Sequence, residues 1–499
     1  MITLGIDSGT QSTKCIALDL ESGKIVASAS QAYGMIEELP PGHLEQDPQV
    51  WIDAVDQTVR ACVQQLGKKK DRVRAIGVSG QQHGFVPLNK KNEVIRPAKL
   101  WCDTSTIEQC KQFEAEFGGV DDLIRLSGNA IPPGFTAPKI LWLKQNEPKN
   151  FKQLRTVLLP HDYINFFLTG EKGMEYGDAS GTGLFDVRTK EWCQPLIDFI
   201  DPDLNECLPQ VASSRRALGL LKDDLREAWG LSKSPVVSAG GGDNMMGAIG
   251  TGNVEAGVVT ASLGTSGTLY AFCVEPTVDP EGEVAAFCDS TDRWLPLGCT
   301  MNVTVATEQV RKMFNWSHDE LERHIAETPA GSGGLVFLPY LTGERTPNLP
   351  RGTGVFHGLN KDTMEPSYMS RAVMEGATLG LAYGLNRFRQ LGIQPQEIRL
   401  TGGGSKSGVW RQICADIFGV PTVCLRSAEG AALGAALQGA YACYAAEGQP
   451  TRFRDLADKY VALDEDTRSE PNDDHRETYA KSLTRQSDLT KRLHTAGYL

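Results

Sequence analysis

Ile2-Thr3-Leu4-Gly5-Ile6-Asp7-Ser8-Gly9-Thr10-Gln11-Ser12 opens the chain with an apolar run that ends on a carboxylate and breaks into glycine and hydroxyl residues. Ile2 to Asp7 reads as a strand, Ser8 to Gln11 as a tight turn, and Ser12 to Leu20 as the strand returning beside it. Glycine lets backbone approach an anion closely and adopt positive φ, so such a turn offers N–H groups and hydroxyls to phosphate. The pattern recurs downstream, where Gly257 to Ser262 and Thr268 to Cys273 flank Leu263-Gly264-Thr265-Ser266-Gly267. Taken singly, each is an ordinary hairpin. Two of them at corresponding points of two halves predict a polyphosphate gripped from both sides.

A chain of 499 residues exceeds what one hydrophobic core serves, so two large domains with a ligand cleft between them are expected. The border is placed at Val236 to Gly242, giving domains 1–238 and 239–499. A net charge of −12 with no basic stretch argues against a nucleic-acid partner. The small-apolar run Ala431 to Ala446 is interrupted by Gln438 and predicts a buried helix, not a membrane span. The absence of a basic, apolar leader and the twelve scattered cysteines point to a reduced, cytoplasmic protein. Eight histidines without ligand spacing give no zinc site.

Residues 48 to 66 place Trp51, Val55, Val59, Cys62 and Leu66 on one helical stripe, with Pro48 in the first turn after Asp47. Val73 to Val78 reads as a strand ending in Ser79-Gly80-Gln81-Gln82-His83-Gly84, a polar loop at the strand end where open α/β sheets bind ligands. The second half repeats the plan with a helix around Ser370 to Gln390, a strand at Glu397 to Thr401, Gly402-Gly403-Gly404, and a helix starting near Ser407. The 370–390 helix is apolar enough to be buried, with the domain interface one place for it. Beyond residue 450 the charged chain reads as a solvated helical tail.

Asp243 follows three glycines and precedes a small-residue helix. It reads either as an N-cap or as a catalytic carboxylate kept ionised by the helix dipole and nearby N–H groups. Asp7, before the first turn, suits water-mediated contact with Mg2+, which keeps much of its hydration shell, or an Asx bond that anchors the turn.

As a set these residues resemble the FGGY family of carbohydrate kinases, and within it the xylulokinase branch. One family signature is similar to Gly134-Phe135-Thr136-Ala137-Pro138-Lys139-Ile140-Leu141-Trp142-Leu143-Lys144-Gln145-Asn146, the other to Gly354 through Glu375, where Tyr368 departs from the pattern. The likeness runs from residue 2 to 445 and includes Glu45-Gln46-Asp47-Pro48 and Gly242-Asp243-Asn244.

The resemblance implies two ribonuclease H-like α/β domains, as in actin and sugar kinases, closing around ATP, Mg2+ and a sugar. It makes Asp243 the general base and Asp7 the carboxylate near magnesium. It puts Thr10, Gln11, Ser12 and Lys14 in the first phosphate loop, Gly264 and Thr265 in the second, Gly403 and Ser407 in the nucleotide turn, and Gln82, His83, Asp103 and Asn244 at the sugar. The expected reaction is phosphorylation of a pentulose, D-xylulose first, with D-ribulose, L-ribulose or a polyol as alternatives and a non-kinase ATPase as the rival class. Gly134 stands where glycerol kinases carry tyrosine, leaving room for a longer polyol, while Gln82 and Cys102 depart from the usual xylulokinase loops. No nucleic acid or membrane is expected as a partner, and a homodimer is allowed for.

Overall fold

The computed structural model describes residues 1–427, 429–449 and 451–499. Its frame is two mixed sheets of matching order. In the first, Lys24–Ala32, Ser12–Asp19, Ile2–Ser8, Val73–Gly80, Val236–Ser238 and Ala217–Leu220 lie side by side, and Gly241–Gly242 adds to the end of Val73–Gly80. In the second, the order is Leu297–Thr300, Gly267–Ala271, Val258–Leu263, Glu397–Thr401, Thr422–Leu425 and Leu463–Ser469.

Strand directions repeat as well. Ile2–Ser8 is antiparallel to Ser12–Asp19 and parallel to Val73–Gly80, just as Val258–Leu263 is antiparallel to Gly267–Ala271 and parallel to Glu397–Thr401. Two copies of one topology therefore build the chain, each opening on a hairpin. The registers Ser8↔Thr13 and Leu263↔Gly267 close the two hairpins and leave their turns at the strand ends.

Helix Pro48–Leu66 forms as its sequence predicts: Asp47 caps it by accepting the Gln49 N–H at 3.0 Å, and its stripe is buried in the first core. Helix Pro366–Gln390 lies in the second core with Met374, Leu381 and Phe388 buried, so it serves the second domain and not the interface. The interface helix is Gly430–Ala446. It packs on Asp243–Gly250 and on the first-sheet strands Ile2–Ser8 and Val73–Gly80. Its glycines and alanines allow backbone-to-backbone approach; a Cβ at Gly434 would fall on the Met246 carbonyl.

The segment beyond residue 450 departs from the expected solvated tail. Leu463–Ser469 is an edge strand of the second sheet, and helix Asp473–Thr495 buries Tyr479, Gln486 and Thr490. Alternating charge hid the strand because an edge needs only one covered side. No helix among the described residues is long and apolar enough to cross a membrane.

Candidate active site

The first hairpin turn, the 79–84 loop and the start of helix Asp243–Gly250 meet at one place. Asp7 ends the first strand, and its Oδ1 accepts from Ser79 Oγ at 2.8 Å. Across the hairpin Lys14 pairs with Asp7 in register and binds Glu429 at 2.7 Å. Burial, then the Glu429 charge against the opposing Ser79 hydrogen bond and Lys14, raises the Asp7 carboxyl. Thr10 Oγ1 donates to Gln81 Oε1 at 3.3 Å and accepts from Trp101 Nε1 at 3.0 Å, fastening the first turn to the loop beside it. Gln11 is exposed and Ser12 half-buried at the tip.

Asp243 is the first residue of its helix and Gly242 is the N-cap, so Asp243 is not the capping residue. Its Oδ1 accepts from the Asn244 N–H at 2.8 Å and from Asn244 Nδ2 at 2.9 Å, and that same amide donates to Gln82 Oε1 at 2.8 Å. Burial and the charge of Asp7 push the Asp243 carboxyl up to about 7, against the Asn244 N–H and with a further push from Asp178. This corrects the expected full ionisation: the helix dipole and two N–H donors are outweighed by desolvation and a facing carboxylate. Among the described residues, Gln82 Nε2 and His83 Nδ1 are buried without a hydrogen-bond partner. A proton acceptor with a pKa near neutrality, beside two open polar groups, suits deprotonation of an alcohol.

The second turn is packed within its own domain. Thr265 is exposed at its tip, and Gly402, at φ +84°, abuts Leu263 and Gly264, where a Cβ would lie 2.7 Å from the Leu263 carbonyl carbon. Gly403 follows, exposed and open on its Cβ side.

Residues 2–250 match the N-terminal domain of the FGGY family of carbohydrate kinases, and residues 259–443 match its C-terminal domain. The chain belongs to that family. It is 39% identical to the xylulose kinase of Haemophilus influenzae over 97% of this chain and 99% of that one, and 37% identical to that of Escherichia coli over 83% and 84%. Among solved structures it resembles a xylulose kinase from Brucella ovis with a TM-score of 0.92 at 31% identity, covering 99% of this chain and 100% of that one. The ligand-bound xylulose kinase from Lactobacillus acidophilus gives 0.91 at 27%, covering 99% and 98%. The two matching sheets are the ribonuclease H-like pair of a sugar kinase.

In this FGGY kinase Asp103, expected at the sugar, is tied into the first domain. Its carboxylate is fully enclosed: Oδ1 accepts from the Ser105 N–H at 3.0 Å and from the Ser105 hydroxyl, and Oδ2 from the Leu44 N–H at 2.9 Å and Lys99 Nζ at 3.2 Å. Burial alone would raise it, yet Ser105, the Leu44 N–H and Lys99 hold it below the usual carboxylate range. Asp103 is thus held by four donors of the first domain. His43, Glu45 and Asp103 cluster as metal ligands do, but Lys99 Nζ sits among them, 3.1 Å from Glu45 and 3.2 Å from His43 Nδ1.

Ser407, expected in the nucleotide turn, has a hydroxyl that caps helix Gly408–Phe418 by accepting the Trp410 N–H at 3.1 Å and donates to Glu322 at 3.0 Å. Gly134 is required by a neighbour as well as by space, since a Cβ there would lie 2.7 Å from the Trp101 carbonyl oxygen.

Two buried residues that sequence reasoning left without a role hold His83 in the left-handed region, at φ +62°. Its carbonyl accepts from Lys139 Nζ at 2.8 Å and Thr136 Oγ1 at 3.1 Å, and the buried Asp178 carboxylate lies near its N–H. Asp178 is in turn bound by His161 Nδ1 at 2.7 Å. Burial opposes charge on His161, but Asp162 and Asp178 more than offset it and raise its pKa well above the ordinary value. Burial lowers Lys139 to about 7, and burial with nearby Lys139 and Arg345 lowers His83 to about 3. Lys139 lies inside the quoted 134–146 motif. A positive-φ histidine gave no local signal.

Proposed function

We propose that the chain transfers the γ-phosphoryl group of ATP to the terminal hydroxyl of a pentulose, D-xylulose in preference to others. The observation that carries the reading is Asp243: a carboxylate raised to about 7, bonded through Asn244 to Gln82, between two phosphate-type turns. The likeness to curated xylulose kinases over nearly the whole chain selects the acceptor.

Phosphoryl transfer needs positioning and charge stabilisation more than covalent chemistry. Asp243 takes the proton of the attacking hydroxyl. Gln82 Nε2 and the neutral His83 ring orient the sugar, and the turns at Gly9–Ser12 and Gly264–Ser266 present N–H groups to the phosphates. The donor set fits a hydrated Mg2+, because Asp7 and Asp243 are facing carboxylates whose mutual repulsion a dication relieves. Asp7 would hold it through water, and the ion would neutralise charge on the transferring group. Residues 1–238 then carry the acceptor loop and first turn, and 239–499 the base and nucleotide turn.

A coupled ADP-release assay over D-xylulose, D-ribulose, L-ribulose and xylitol tests this. Highest kcat/KM on D-xylulose is the expected result. Preference for another sugar keeps the kinase and replaces the acceptor, and ADP release indifferent to every sugar makes the chain an ATPase.

A further inference from the structure

One cation of the second domain reaches the acceptor side of the cleft with no carboxylate partner among the described residues. Arg345 lies between strands Val336–Pro339 and Gly354–His357 and is exposed. Its guanidinium carbon stands 5.8 Å from the centre of the Trp101 ring, across the cleft in the first domain. Its charge acts on the Cys299 thiol, on His83 and on Cys102.

Each side of this contact is tied to a phosphate turn. Trp101 Nε1 donates to Thr10 Oγ1 at 3.0 Å, in the first turn. On the other side, the Arg345 N–H donates to Glu344 Oε1 at 2.8 Å, and this buried carboxylate also accepts from the Met301 N–H at 2.6 Å and Asn302 Nδ2 at 3.2 Å. The next residues, Val303 and Thr304, donate their N–H groups to Thr265 O at 3.1 Å and Gly264 O at 2.9 Å, in the second turn. Hydrogen bonds on either side, joined by the Arg345–Trp101 cation–π contact, thus connect one turn to the other.

A guanidinium carries five donors and no acceptor, in a planar fork suited to two adjacent oxygens. Stacking on an indole uses its face and leaves the in-plane N–H groups free. Asp243, Asn244 and Gln82 form the reacting end of the acceptor site, whereas Arg345 stands over Trp101, whose carbonyl abuts Gly134, and the Gly134 carbonyl shares Lys139 with that of His83. We propose that Arg345 is a specificity-determining residue that donates to the C1 hydroxyl and C2 carbonyl oxygens of the ketose, the end remote from the phosphorylated hydroxyl, and through Trp101 couples acceptor occupancy to closure of the phosphate turns. The inference rests on the pentulose reading above.

The test compares full-length wild type, Arg345→Met and Arg345→Lys on D-xylulose and on its 1-deoxy analogue, which lacks one of the two oxygens. Arg345→Met is expected to lose about ten- to a hundredfold in kcat/KM on D-xylulose, the size of charge-assisted hydrogen bonds. Its loss on the 1-deoxy analogue is smaller, Arg345→Lys recovers part of the D-xylulose activity, and the thermal midpoint stays put because the side chain is exposed. Equal losses on the two acceptors, or a loss under about threefold on D-xylulose, overturn the inference. A wild type inactive on D-xylulose overturns the pentulose reading and this inference together; an active wild type with an indifferent Arg345→Met overturns this inference alone.

Discussion

Asp103, fully buried, and Asp243, half-buried, both read as sugar-site residues in sequence, yet their surroundings push them in opposite directions. Asp103 has an ammonium, a hydroxyl and two backbone N–H groups around it and is held below the ordinary carboxylate range. Asp243 has no cation bonded to it among the described residues, faces Asp7, and is raised to about 7. A satisfied carboxylate is a strut, and an unsatisfied one can exchange a proton. The same contrast separates two buried lysines: Lys99 is enclosed by Glu45 and Asp103, whereas Lys139 bonds only the carbonyls of His83 and Gly134 and falls to about 7.

The largest expected effect comes from removing the proton acceptor. Asp243→Asn should lower kcat by about a hundred- to ten-thousandfold, or ~3–5 kcal/mol of barrier, with ATP still bound in calorimetry. Activity like that of wild type would make Asp243 a second strut. On the other side, Lys99→Met strands Glu45 and Asp103 without their cation and should cost about 3–5 kcal/mol of stability in urea unfolding. An unchanged midpoint would dissolve the strut argument.

A pH series sharpens the comparison. Asp243 titrates near 7 folded and near ~3.9 unfolded, so its contribution to stability is fully present below about pH 4 and is lost as pH rises through about 7. Asp243→Asn should therefore gain stability relative to wild type between about pH 4 and 7. Asp103 is depressed, so its contribution is present above about pH 4 and lost as pH falls through its lowered value. Asp103→Asn should be the less stable partner at neutral pH. Matching slopes in the two variants would erase the distinction. In kinetics, kcat/KM for the sugar should fall on the acid side with an apparent pKa near 7, since the base works only when ionised. At the small end, breaking the surface pair Lys361–Asp362 with Lys361→Ala should move stability by less than about 0.5 kcal/mol, because both side chains are solvated.

Much of the fold was legible because local patterns carry it. The hairpins, the Asp47-capped helix and the strand Glu397–Thr401 follow from turn glycines and apolar periodicity. Leu463–Ser469 was not legible, since its Asp464-Glu465-Asp466 run looks like solvated chain until Thr422–Leu425 supplies a partner. At the site, Asp7, Gln82, Asn244 and Asp243 were marked by strand ends and glycine turns. Arg345, Trp101, His161 and Asp178 were not, because each acts on residues far away in the chain.

The sequence alone settled what short-range sterics dictate: two glycine turns at two strand ends, a small-residue helix able to press backbone on backbone, and carboxylates beside both. Which aspartate stays charged and which titrates near neutrality was decided only when folding brought Lys99 to Asp103 and Asp7 to Asp243. A pKa is fixed by desolvation and by charges a few ångströms away, and those neighbours come from segments that no local pattern joins.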